Sequence, residues 1–251
     1  MSWLRYVNLS DEYERRARFL PALFALLPLV PIGVMLGDAF AAWWKVLLGG
    51  VGLGAVISVG LSHLASAFGN RLQGQLWPRW PHDAPTNEAL NPRYASVSTQ
   101  RREQYYDAVN AVVGIDLRKA IASGSEAEVE AAINDSVSVV RGRLDQSSHG
   151  TRLRRFNIDY GYARNLTGMR AVWLGLATLG AAAGWTIFAL RPEEELPWPI
   201  VSSAVALASW PIAFVVLPGY VRAKARYYTE AFYLALMSLA ESKKKASRGK
   251  G

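Results

Sequence analysis

Four stretches without a single Asp, Glu, Lys or Arg constrain this chain more than any other feature: Phe19 to Leu36, Val46 to Phe68, Ala171 to Leu190 and Trp198 to Leu217. Each holds roughly the 20 residues that carry an α-helix through the hydrocarbon core of a bilayer. Backbone groups in lipid must satisfy one another, so stretches of this length read as helices. The expectation is an all-α, polytopic membrane protein with four transmembrane helices in two hairpins, which removes a soluble enzyme as the default reading. The first stretch follows a polar, mixed-charge segment, contains Pro21, Pro28 and Pro31, and is followed at once by the second. It reads as a retained span and not as a cleaved signal peptide.

Basic residues set the orientation, because they favour the cytoplasmic side of a span. The N-terminal segment carries Arg5, Arg15, Arg16 and Arg18, the stretch from Gly69 to Arg170 carries 14 basic residues, and the tail after Pro218 carries eight. The two short connections keep Lys45 and Arg191 against Asp38, Glu193, Glu194 and Glu195. Both termini and the long insert are therefore expected in the cytoplasm of an inner-membrane protein, with two tight outer hairpins. The expected divisions are a cytoplasmic amphipathic segment (1–18), a first transmembrane hairpin (19–68), a cytoplasmic helical insert (69–170), a second hairpin (171–218) and an amphipathic helix with a basic tail (219–251). The chain has no cysteine, which suits either side of the membrane.

Within these divisions, Ser10 is placed to cap a short helix whose first turn holds Asp11, Glu12 and Glu14. Gly50, Gly54, Ser58, Ser62 and Ser66 recur every four residues along the second span, and Gly180 and Gly184 repeat the spacing in the third. Small residues at that interval let helix backbones approach closely. They mark packing within a subunit or, alternatively, a subunit interface or a pore-facing seam. The insert opens with Leu76, Trp77, Pro78, Arg79, Trp80 and Pro81 and continues from Pro85 to Pro92, a composition that predicts irregular chain with tryptophans at headgroup level. A helix is expected from Ser98 or Thr99 to Val113, stopped by Gly114 and burying Tyr105, Val109, Val112 and Val113. A second begins at Ser125, where Glu128 completes a capping box, and carries the apolar stripe Val129, Ile133, Val137, Val140 and Leu144. Thr151 is placed to cap a helix that enters the third span without a break. Asn157, Gly161, Arg164, Asn165 and Gly168 project from one side of it, with Tyr160 beside them. Lys243, Lys244, Lys245, Arg248 and Lys250 read as a flexible basic tail.

Three elements occur together: a span followed by Leu72, Gln73 and a Trp-rich turn; Pro85, Thr86 and Asn87 before an Arg and Tyr helix; and Asn157, Tyr160, Gly161, Arg164, Asn165, Leu166 and Gly168 entering the next span. The combination resembles an uncharacterised family of bacterial four-span integral membrane proteins with a cytoplasmic insert between spans two and three. The resemblance covers the chain from span two to span three and implies fold and location. This chain departs from the family pattern between Val113 and Ser125, which is short and Ala/Ser-rich where the family is longer and more acidic.

The residue types that carry chemistry stand apart. His63, His82 and His149 are far from one another in sequence, none at metal-ligand spacing, and there is no thiol. His82 beside Asp83 is one adjacent polar pair, and a solvated loop explains it better than a catalytic dyad. Gly49 to Gly54 lack the spacing and lysine of a phosphate loop. No cofactor, metal or catalytic residue is assigned. No span holds a carboxylate, which argues against proton antiport. His63 is the ionisable group within a span, read as hydrogen-bonded to a neighbour or, alternatively, as a gate. The insert's 14 basic residues face 11 acidic ones, so the charge excess reads as attraction to anionic headgroups and not to nucleic acid. Asn157, Tyr160, Arg164 and Asn165 form either an interhelical hydrogen-bonding seam or a clamp for an anionic ligand. The favoured function is a non-enzymatic, homo-oligomeric membrane effector or pore-forming subunit controlled by a cytosolic small-molecule or protein signal. The alternatives are a scaffold for another membrane complex and a lipid-active enzyme with an atypical site near His149, Arg155 and Arg164.

Overall fold

The computed structural model describes residues 11–49, 51–191 and 197–248. Its regular structure is helical throughout these residues. A π-helical stretch, Glu14–Phe19, leads into α1 (Leu20–Leu26) and a 3-10 turn, Leu27–Leu29. Then follow α2 (Val30–Gly49), α3 (Val51–Leu76), α4 (Pro85–Leu90), α5 (Thr99–Val113), α6 (Leu117–Ser123), α7 (Glu126–Asp145), α8 (Gly150–Gly168), α9 (Arg170–Leu190), α10 (Pro197–Pro211), a π-helical stretch Ile212–Val216, and α11 (Leu217–Arg248). The contacts divide the chain into a first unit, Met1–Leu72 with Ile158–Arg222, and a second, Gln73–Asn157 with Ala223–Gly251.

Three helical stretches among the described residues are long and apolar enough to cross a membrane: Glu14–Gly37, Arg170–Leu190 and Pro197–Ala246. The remaining apolar block, Val46 to Phe68, is divided between the end of α2 and α3, with Gly50 outside the described residues. Gly37, next to Asp38, interrupts α2 with φ 51° and ψ −124°. That backbone geometry is open to glycine and strained for a residue with a Cβ, which explains why a glycine stands where the charge pattern puts an outer connection.

Small residues make up much of the first unit's interior, and many of its large apolar residues face outward. Ala22, Ala25, Ala65 and Met169 are buried together, packed by Leu61, Phe68, Val172 and Trp173. Leu190 is 78% exposed, Leu207 74% and Val215 73%. Burying alanine against alanine shortens the distance between helix axes, and leaving leucine and valine outside suits an apolar solvent. Gly180 and Gly184 follow the same logic. A methyl group at Gly180 would lie 3.2 Å from the Pro28 carbonyl oxygen, and one at Gly184 would touch Ile32, Pro199 and Ser202 at 3.4 to 3.5 Å. This second GxxxG pair therefore packs inside the chain. Ser62 is buried, Ser58 and Ser66 are half-buried, Gly54 lies within α3, and Gly50 lies outside the described residues.

In the second unit, α4, α5 and α7 pack with part of α11 around one apolar core that includes Leu90, Tyr105, Val109, Ile133, Val140 and Phe232. Its local signals act as the sequence predicts. Ser98 accepts from the Arg101 amide, Gly114 ends α5 with φ 76°, and Ser125 and Glu128 form the capping box. Ile133, Val137, Val140 and Leu144 are buried on one stripe, with Val129 packed beside them.

Four expectations need correction. The stretch from Leu76 to Pro92 is not wholly irregular, because Pro85–Leu90 is helical. Proline at the first helical position gives up an amide that has no partner there anyway. Thr151 does not cap α8, which already begins at Gly150, where a methyl would clash with the Leu144 carbonyl at 2.5 Å. The passage into α9 is broken at Met169, whose ψ of −3° leaves regular helix geometry. The basic tail is helical as far as Arg248, and Lys243 Nζ donates to the Val112 carbonyl at 2.8 Å. The Ser10 cap and Lys250 lie outside the described residues.

Candidate functional site

The polar stretch of α8 is where the sequence reading concentrates its candidates, and the structure resolves it into a helix-crossing seam in the first unit. Asn165 is 0% exposed. Its Nδ2 donates to the Ala17 carbonyl at 2.7 Å, and its Oδ1 accepts from Arg164 Nε at 3.1 Å. A buried amide without partners would cost a few kcal/mol, so these contacts fix the side chain in one orientation. On the same face a methyl at Gly161 would meet Ala17 Cβ at 3.0 Å and the Tyr13 hydroxyl at 3.1 Å. A methyl at Gly168 would run into the backbone of Phe68 and Gly69 at 2.6 to 2.7 Å. A methyl at Gly69 would overlap the Asn165 amide itself. The three glycines therefore allow the N-terminal helix and α3 to close on α8, and Asn165 supplies the polar link.

Two neighbours complete the seam. Thr167 is fully buried, and its hydroxyl lies 2.7 Å from the Ala163 carbonyl and 3.3 Å from the Leu217 carbonyl. Arg164 is half-buried, with its guanidinium 6.0 Å from the centre of the Tyr160 ring, a cation–π arrangement. Asn157 does not join them. It is exposed and belongs to the second unit. The sequence reading missed Ala17, Gly69 and Thr167. Small residues at the two helix ends, Ala17 within an arginine-rich run and Gly69 after Phe68, were the available signal.

The second unit holds two polar clusters of its own. Arg102 is buried, and its guanidinium is held by the carbonyls of Ala89, at 3.2 Å, and of Tyr94. Tyr106 donates to Leu90 at 2.6 Å and Tyr233 to Thr86 at 2.5 Å. These donors take up carbonyls of α4 and of the chain that follows it, which is how so short a helix is held. Burial raises the Tyr106 phenol to about 12, so it stays a donor at physiological pH.

The other cluster surrounds Arg79, which reaches Asp83 at 2.9 Å, Tyr94 at 2.8 Å and Glu130 on α7 at 3.0 Å. Burial pushes the Asp83 carboxyl up, but bonds from the Arg79 amide and the Tyr94 hydroxyl, with the Arg79 charge, outweigh it and hold the group below its ordinary value. Glu88 moves the other way, raised by burial and by the charge of Asp83. His82 lies 3.9 Å from Glu130, and His149 Nδ1 lies 3.5 Å from the Ser238 hydroxyl, so neither histidine meets the other. His63 is exposed on α3. Among the described residues, no group of three or more His, Cys, Asp or Glu side chains is arranged to hold a metal ion.

No family model, curated protein or solved structure matches this chain.

Proposed function

We propose that this chain is a four-span protein of a bacterial inner membrane, with two tight outer hairpins and both termini in the cytoplasm. In this reading it acts without catalysis, as an oligomeric effector or pore-forming subunit controlled by its cytoplasmic part. The observation that carries the proposal is that the second unit has a core of its own, closed by residues of α11, in a chain whose first unit bears membrane-length helices. A separately cored domain outside the spans is the natural receiver for a cytosolic ligand or protein. Binding energy there is able to favour one of two arrangements of the bundle.

The polar groups add support. Asn165, Thr167, Arg102, Tyr106 and Tyr233 bond to backbone carbonyls, which makes them struts. The seam on α8 thus favours interhelical bonding over an anion clamp. The test is ion flux through liposomes containing anionic lipid and the purified full chain, with and without soluble cell extract. Flux that the extract changes supports the proposal. Flux no greater than that of empty liposomes under both conditions contradicts it and moves the reading to a scaffold.

A further inference from the structure

Arg170 opens α9, a helix of membrane length, in the first unit. Three contacts set the register of the chain beside it. Thr167 lies next to Leu217, Arg170 next to Phe214, and Trp185 next to Ser203, so α10 and the π-helical stretch after it run antiparallel to α9. Pro211 has no amide to donate, and the helix loosens just beyond it into the wider turn Ile212–Val216, which carries Phe214. The Arg170 guanidinium lies 5.8 Å from the centre of the Phe214 ring, a cation–π contact. Phe214 stacks in turn on Trp210, one turn further from Arg170, with ring centres 5.5 Å apart. Both rings are exposed, as are Val215 and Val216.

The result is a cation at the head of an exposed apolar track, at the end of a helix whose next 20 residues hold no charge. Arg16 and Arg18 are paired with Glu12 and Glu14. Arg170 forms no ion pair among the described residues, and a ring contact uses none of its N–H donors. The chemistry that fits is an anion joined to a hydrocarbon chain. The four apolar stretches contain no Asp or Glu, so a span of a second copy laid along the rings would bring Arg170 no anion at that depth. We infer that Arg170, Phe214 and Trp210 bind one anionic phospholipid, its phosphate on the guanidinium and an acyl chain along the two rings. In the topology proposed above this lipid belongs to the cytoplasmic leaflet, and the inference rests on that membrane reading.

The test is native mass spectrometry of the full chain, stripped of lipid in mild detergent and titrated with phosphatidylglycerol. Losing one basic residue at a membrane surface weakens attraction to anionic lipid about fivefold, so Arg170→Gln should retain the first lipid about fivefold less well than the wild type. Arg71→Gln, at an exposed position on α3, should retain it normally. Phe214→Leu keeps an apolar side chain and removes the ring, and should also weaken retention. Should Arg170→Gln not fold, Phe214→Leu decides alone. Glycerol phosphate, the same anion without a chain, should not compete with the lipid. Equal retention by wild type, Arg170→Gln and Phe214→Leu overturns the site, as does equal weakening by Arg71→Gln or displacement by glycerol phosphate. Alkaline extraction of native membranes separates the two levels of failure. A chain that stays in the bilayer while its lipid retention ignores Arg170 loses only this site, whereas a chain released into the supernatant contradicts the membrane reading itself.

Discussion

Asn165 and Ala17 lie 148 positions apart in sequence and are joined by a hydrogen bond of 2.7 Å from the buried amide to the backbone carbonyl. The bond ties the N-terminal helix to α8 at the point where Gly161 admits Ala17. Interhelical hydrogen bonds in membranes contribute roughly 0.6 to 2 kcal/mol. Asn165→Ala should therefore lower stability by about 1 kcal/mol, while Asn157→Ala, at an exposed position, should change it little. Thermal unfolding of the full chain in detergent measures both.

Arg164 separates a structural seam from an anion clamp. Lysine keeps the charge and loses the planar fork that binds a carboxylate or phosphate in two places. If the seam is structural, Arg164→Lys should keep full flux or binding activity in liposomes and melt close to the wild type. A large loss of ligand response with unchanged melting would restore the clamp.

Gly168 and Gly180 differ in what an added side chain would strike. At Gly168 the obstacle is the backbone of Phe68 and Gly69, which moves only if α3 and α8 separate. At Gly180 it is the Pro28 carbonyl oxygen at 3.2 Å. Overpacking typically costs about 1 to 3 kcal/mol. Gly168→Ala should fall at the upper end and Gly180→Ala at the lower, both with normal membrane insertion. Equal melting of the two would show that α3 and α8 are not in contact at Gly168.

Local signals in the sequence and distant ones behaved differently. The Ser125 capping box and the Gly114 stop were legible because each is complete within a few residues. The stripe from Ile133 to Leu144 was legible through its period. The helix at Pro85–Leu90 was not, because much of what holds it comes from elsewhere, including a bond from Tyr233 to Thr86 across 147 positions. The ordered tail was hidden for the same reason, since Lys243 is anchored on Val112. Asn157 and Asn165 looked equivalent because both have the right helical spacing. Only the positions of Ala17 and Gly69 distinguish them, and no local pattern encodes those.

Asp83 gives the second unit a defined acid response. Its carboxyl is held below the ordinary value, so the stability it contributes is present above that value and is lost as pH falls through the folded one. Asp83→Asn should lower the melting temperature at neutral pH and flatten the fall in stability below about pH 4. An acid limb in Asp83→Asn as steep as that of the wild type would assign the response to other carboxylates.

Arg102 is a buried cation of the second unit, held against backbone carbonyls. Replacing it with methionine keeps much of the volume and leaves those carbonyls without their donor. Hydrogen bonds to charged groups are worth about 1.5 to 3 kcal/mol each, so Arg102→Met should destabilise by at least about 2 kcal/mol. Hydrogen exchange should localise the loss to α4 and the turn after it. A variant with wild-type exchange there would remove Arg102 as the anchor.

Side-specific labelling of single cysteines in intact cells tests the central claim most directly, because the cysteine-free chain gives no background. The proposed topology requires that Ser147→Cys, between α7 and α8, be shielded from an impermeant thiol reagent until the membrane is opened, while Glu194→Cys reacts at once. Labelling of Ser147→Cys from outside, or protection of Glu194→Cys, would contradict the four-span arrangement and the cytoplasmic placement of the second unit.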